Sequence, residues 1–294
     1  MPVITRPDAT IAYEVHGTAG ASLVFVHGGC CTRQDWAQQV TGLMKRFRIA
    51  TLDLRGHGES TVQDDETCTV DSHADDVLAV VRALDWGPVV LVGHSLGCRV
   101  ILEVSKRSPH DVTALVLVDS GLVAGSDAPQ QVDLVSEVGA GGPALQDVMQ
   151  TMFAPMFTPR TPPAVREQVE ARMLSTRGSV FTASLRSGVA WDGSGFEPAV
   201  AALSMPVLAI QSTSVDALGT WTYFEHEDET SSWLDTLAAH LPQLQVAIVT
   251  GSGHFVMLER PAAVNDAIER FAVAATSTSN QQPRPEAETA SWRG

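Results

Sequence analysis

The stretch PVVLVGHSLGCRVILEVSKRS, residues 88–108, decides how this chain is read. Its first part is a short run rich in Val and Leu, which predicts a buried strand over 88–95. Its second part predicts a helix over 96–108. Between them lies Gly93-His94-Ser95-Leu96-Gly97, a G-x-S-x-G pattern in a strand-to-helix setting. A serine on so sharp a turn is held in strained geometry with its hydroxyl pushed into the open. The two glycines let the chain pass close to its neighbours. The helix that follows points its first amide N–H groups and its positive dipole end at the same spot. Ser95 is therefore the candidate nucleophile, and the Leu96 amide a candidate oxyanion donor. A tight turn with a capping serine is the bland alternative, and the flanking strand and helix argue against it.

Outward from that stretch, strands and helices alternate. Strands are predicted at 21–28, 48–56, 111–120, 205–213 and 244–253, and helices at 33–46, 71–85, 231–241 and 261–274. That alternation predicts an α/β fold with a mostly parallel, doubly wound sheet. The segment 121–203 breaks the pattern. It has no apolar strand run, and Gly/Pro breaks fall at Gly139–Pro143 and Pro155–Pro163. It reads as a helical lid inserted between strands, with residues 1–120 and 204–274 as the core. Met149, Met152, Phe153, Met156 and Phe157 cluster in it, either as the lid's own core or as substrate contacts. Residues 275–294 are polar and Pro-containing and read as a disordered tail.

The 294 residues suffice for one α/β domain with a lid. The net charge of −15 repels phosphate backbones and anionic membranes, so no nucleic-acid or membrane partner is expected. Cys30, Cys31, Cys68 and Cys98 have no metal spacing and read as free thiols, which points to the cytoplasm. No Gly-rich dinucleotide loop or metal cluster is present, so no cofactor and no metal are expected.

A serine nucleophile needs a general base. His254, in Gly251-Ser252-Gly253-His254-Phe255, follows the last predicted strand and so lies at the same sheet edge as Ser95. His27-Gly28-Gly29 follows the strand at 21–26, where Gly29, or next Cys30, offers a second oxyanion N–H. His27 and His94 read as structural, and the charges of Asp53–Ser60 read as a lock on their own loop.

HGG (27–29), DLRGHGES (53–60), GHSLG (93–97) and GSGHFVMLERP (251–261), in that order, resemble the α/β-hydrolase superfamily over about residues 8–274. The likeness is to its lid-bearing members: esterases, lactonases, carbon–carbon bond hydrolases and haloperoxidase-like proteins. It implies Ser95 as nucleophile, His254 as base, and the Gly29 and Leu96 amides as oxyanion hole. It also implies an acid in the turn after the strand at 206–211, within a G-x-x-D pattern. That turn here reads Gln211-Ser212-Thr213-Ser214-Val215-Asp216, without the glycine, and Asp216 is the expected acid. Asp119, which some relatives' position matches, is the alternative. A third source is the acidic run Glu225, Glu227, Asp228 and Glu229.

The expected activity is hydrolysis of a carboxylic ester or lactone with a largely apolar body, such as an aryl, long-chain or macrolactone substrate. Carbon–carbon bond hydrolysis, perhydrolysis and cofactor-free oxygenation reuse the same residues. A non-catalytic small-molecule binder is the alternative from another class. Ser95 at the elbow, where aspartate would be needed, argues against a dehalogenase or an epoxide hydrolase.

Overall fold

Each apolar run of the chain becomes a strand of one sheet, and the amphipathic segments between them cover its two faces. The computed structural model describes residues 2–122, 143–216 and 219–279. The strands are β1 (Val3–Thr5), β2 (Ala9–His16), β3 (Ser22–Val26), β4 (Arg48–Leu52), β5 (Thr61–Val62), β6 (Val89–His94), β7 (Val112–Val118), β8 (Val207–Gln211), β9 (Thr213–Val215), β10 (Trp221–Tyr223) and β11 (Gln245–Ile248). Eight of them lie in the order β1-β2-β4-β3-β6-β7-β8-β11, with β5 beside β2, while β9 and β10 form a separate hairpin. From β4 to β11 every pairing is parallel, and β2 runs antiparallel to both β1 and β4.

The helices are α1 (Ala37–Leu43), α2 (Val70–Leu84), α3 (Leu96–Arg107), α4 (Pro143–Phe153), α5 (Pro163–Ser175), α6 (Gly178–Ser194), α7 (Phe196–Ala201), α8 (Ser232–His240), α9 (Val256–Glu259) and α10 (Pro261–Ser279). Strand side chains alternate between two cores, as a period of two requires. Val24 and Leu91 join Val77, Val100 and Trp233 of α2, α3 and α8 on one face. Phe25 and Val92 join Leu43 and Ile268 of α1 and α10 on the other. The doubly wound sheet expected from the sequence is what these two layers form. Helices α4 to α7 enter between β7 and β8, where the insertion was expected.

Three features differ from the expectation. The antiparallel edge β1–β2 was not predicted, because Val3 and Val15 face solvent and no continuous apolar run marks it. The predicted helix at 33–46 begins as a 3₁₀ turn over Arg33–Trp36, fixed by a capping box between Thr32 and Asp35, before α1. Helix α10 runs on to Ser279, so residues 275–279 are helical rather than tail; the rest of the expected tail, 280–294, lies outside the described residues. Residues 123–142, the first part of the expected insertion, also lie outside them. Among the described residues, no helix is long and apolar enough to cross a membrane.

Candidate active site

Ser95 caps α3 with φ 52° and ψ −115°, a conformation that L-residues rarely adopt. Its amide donates to Val118 O at 3.2 Å, so the elbow is the last rung of the β6–β7 ladder. A Cβ on Gly93 would lie 2.5 Å from Gly97 O, and one on Gly97 would lie 2.4 Å from Val26 O. The sequence pattern is thus a steric requirement of this turn. Leu96 opens α3, so its N–H has no acceptor within the helix.

The loop after β3 runs beside the elbow. A Cβ on Gly28 would lie 2.8 Å from His94 Nδ1 and 3.1 Å from the Ser95 Cβ. The fully buried His27 accepts the Leu54 N–H through Nε2 at 2.9 Å and turns Nδ1 to Gly28 O at 2.7 Å. Asp53 accepts the amides of Arg33 (2.7 Å) and Glu59 (2.9 Å), so its charge fastens the loop. Gly29 and Cys30 both line the cavity in front of Ser95, Cys30 with φ 57°. Burial pushes the Cys30 and Cys31 thiols up to about 12.

His254 follows β11 and is 4% exposed. Its Nδ1 lies 2.9 Å from Asp119 Oδ1. Asp119 sits one residue past β7, with φ 38°, and its amide donates to Ile210 O at 2.7 Å. The carboxylate is fully buried. Oδ2 accepts the amides of Ser212 (2.7 Å) and Thr213 (3.1 Å) and meets Ser212 Oγ, while Oδ1 also accepts Thr213 Oγ1 at 2.5 Å. The main chain of His254 is held as firmly. Its N–H donates to Met156 O at 2.9 Å, and its carbonyl accepts His94 Nε2 at 3.0 Å. The expected acid, Asp216, is elsewhere. It is exposed in the turn of the β9–β10 hairpin, where its Oδ1 accepts the Thr220 amide at 2.8 Å. The chain after β8 turns into this hairpin, which puts Asp216 on the cavity wall, while Nδ1 of His254 meets Asp119. The acidic run folds on itself at the surface: Glu229 accepts the Glu225 and His226 amides, and Glu225 pairs with Arg160.

Ser95 and His254 line one cavity of about 520 Å³. Met152, Phe153, Met156, Phe181 and Leu185 supply much of its wall. The Met/Phe cluster is therefore divided, because Met149 and Phe157 pack into the core, Phe157 stacked on Phe255 with ring centroids 5.4 Å apart. Arg99 also faces the cavity, but Asp192 grips its guanidinium at 2.7 and 2.6 Å. Two contacts near His254 gave no signal in the sequence. The Trp221 ring stands edge-on to His254 with centroids 4.9 Å apart. Glu259 accepts the Gly253 amide at 3.1 Å and the Thr161 hydroxyl at 2.9 Å, and burial raises its pKa.

A parallel sheet with a strained serine at its central strand end and an insertion between β7 and β8 defines the α/β-hydrolase class. The profile of the Alpha/beta hydrolase family matches residues 23–267, and the chain belongs to that family. It is 24% identical over 259 residues to the 2-(acetamidomethylene)succinate hydrolase of Mesorhizobium japonicum, covering 86% of this chain and 88% of that one. A thermophilic esterase from Thermogutta terrifontis superposes with a TM-score of 0.75 at 25% identity, covering 91% and 94% of the two chains. The enol-lactonase of Burkholderia xenovorans shares the fold with a TM-score of 0.76 at 17% identity, covering 92% and 100%.

Proposed function

We propose that this hydrolase cleaves a carboxylic ester or lactone through an acyl-enzyme on Ser95. The carrying observation is the 2.9 Å contact between His254 Nδ1 and the buried Asp119 carboxylate, in a cavity that also contains Ser95. A carboxylate at Nδ1 keeps the proton there and leaves Nε2 as a lone pair, the form that takes a serine proton. Asp119 then steadies the imidazolium as Ser95 attacks. The Gly29 and Leu96 amides hold the oxyanion. His254 passes the proton to the leaving alcohol and afterwards activates water. Asp119 takes the role expected of Asp216.

The apolar wall, and an Arg99 already neutralised by Asp192, favour a largely apolar, uncharged substrate. Helices α4 to α7 act as the lid. The similarity to an esterase at 25% identity supports the reaction class. The test is labelling by a fluorophosphonate together with turnover of a p-nitrophenyl ester panel and a vinylogous diketone. Labelling of wild type but not of Ser95→Ala, with ester turnover, is the expected result. Labelling without turnover of any ester, or turnover of the diketone alone, overturns the ester reading.

A further inference from the structure

Among the described residues, three cavity-lining side chains have a buried polar atom without a hydrogen-bond partner: His57 Nε2, Ser184 Oγ and His94 Nδ1. His94 Nδ1 faces the turn at Gly28 beside Ser95; the other two are the ones that the proposed ester chemistry leaves unused. His57 is 1% exposed and Ser184 5%. A buried polar group with no partner is costly, and each such group calls for an explanation.

Each atom has a definite hydrogen-bonding character. His57 Nδ1 lies 3.0 Å from Arg55 O, a pure acceptor, so Nδ1 carries the proton. Burial lowers the His57 pKa, which keeps the ring neutral and leaves Nε2 as an acceptor. Ser184 lies inside α6. In that helix Thr182 and Ser194 return their hydroxyls to the carbonyls of Gly178 and Ala190, and Ser184 does not. Its hydroxyl is free to donate or accept.

The segments that carry the two residues pack together. Ser184 follows Val180 by one helical turn and shares its face. A Cβ on Gly56, beside His57, would lie 2.9 Å from Val180 Cγ2. The sheet order puts β4, which leads to His57, on one side of β6. β11, which leads to His254, is on the other side. A base that protonates the leaving alcohol needs that alcohol on its own side, so the acyl group extends toward His57. The roots of β4 and β6 are two strand spacings apart, roughly 10 Å.

We propose that His57 Nε2 and Ser184 Oγ form a subsite for a hydroxyl group on the distal part of an otherwise apolar acyl chain, donating to His57 and accepting from Ser184. The proposal rests on the ester or lactone reading for its orientation. It narrows the substrate class to hydroxyacyl esters or lactones.

The test compares p-nitrophenyl esters of hexanoic to decanoic acids with their ω-hydroxy counterparts. At the matching chain length, wild type is expected to favour the hydroxylated ester at least about tenfold in kcat/KM, since a site built for a hydroxyl discriminates against the analogue lacking it. His57→Phe and Ser184→Ala are each expected to bring that ratio close to one or below. Ser184→Ala suits the helix and guards against a folding artefact in His57→Phe. A binding arm uses Ser95→Ala with methyl esters of the same acids, measured by calorimetry. It is expected to show the same preference, lost on adding His57→Phe. Equal binding of both ester series overturns the subsite whether or not turnover occurs. An unchanged ratio in both variants also overturns it. Failure of ester turnover with the binding preference intact overturns the reaction reading alone.

Discussion

Adjacent strands β7 and β8 each lead into a turn that carries an aspartate, and the two carboxylates have opposite surroundings. Asp119 ends β7 in a left-handed conformation. It is fully buried and held by the amides of Ser212 and Thr213, two hydroxyls and His254 Nδ1. Asp216 sits in the turn of the β9–β10 hairpin that β8 leads into, exposed, where it accepts the Thr220 amide. The same residue type serves as a buried anchor in one turn and a hairpin brace in the other. What separates them is the register of the strands. The last ladder bonds of β7 and β8 bring Asp119, the Ser212–Thr213 amides and the loop after β11 to one point.

The largest effect should come from exchanging each carboxylate for an amide. Asp119→Asn is expected to cut kcat by about 10⁴-fold, because an amide no longer selects the His254 tautomer. Asp216→Asn should stay within about threefold, and steady-state kinetics on one ester checks both. A loss of that size in Asp216→Asn would break the comparison.

Burial versus exposure separates the histidines as well, with consequences for stability. His27, His57, His73 and His94 are buried and their pKa values lie below 6.5, chiefly through desolvation. The unfolded chain then binds more protons below pH 6.5. The stability these neutral rings contribute is present above that pH and is lost as pH falls toward their folded values. The loss grows as pH falls below 6.5, until each folded pKa is reached. Thermal melts should therefore give a clearly lower Tm at pH 5.5 than at pH 7.5, and His73→Phe should flatten the dependence. A Tm that rises on acidification would contradict this.

Asp119→Ala should lower stability by about 1–3 kcal/mol, since it leaves buried donors unpaired. Asp216→Ala should change it by about 0.5 kcal/mol or less. Chemical denaturation measures both. On the hairpin, Trp221→Ala should lower kcat/KM by about 3- to 10-fold through loss of its edge contact with His254. Smallest of all, Cys30, Cys31 and Cys98, pushed up to about 12 by burial, should not react with a thiol reagent at pH 8 until the protein unfolds.

The comparison of the two turns also marks where the sequence stops being legible. Gly93, Gly97 and Ser95 are a local signature, because the turn's own backbone demands them. The placement of His254 beside the cavity was legible from its position after the last strand. The partner of His254 was not. Asp119 directly follows an apolar strand and Asp216 comes five residues after one, and their difference arises from contacts more than 90 residues apart, such as Ser212 with Asp119. His57 and Ser184 were hidden for the same reason, since a missing partner is visible only when all neighbours are in place. The exposed strands β1 and β2 escaped because their burial pattern is mixed.

The most direct test of the central claim is the ring proton of His254, followed by NMR in wild type, Asp119→Asn and Asp216→Asn. A downfield Nδ1–H resonance is expected in wild type, persisting in Asp216→Asn and disappearing in Asp119→Asn. Loss of the resonance in Asp216→Asn with its retention in Asp119→Asn would contradict that claim.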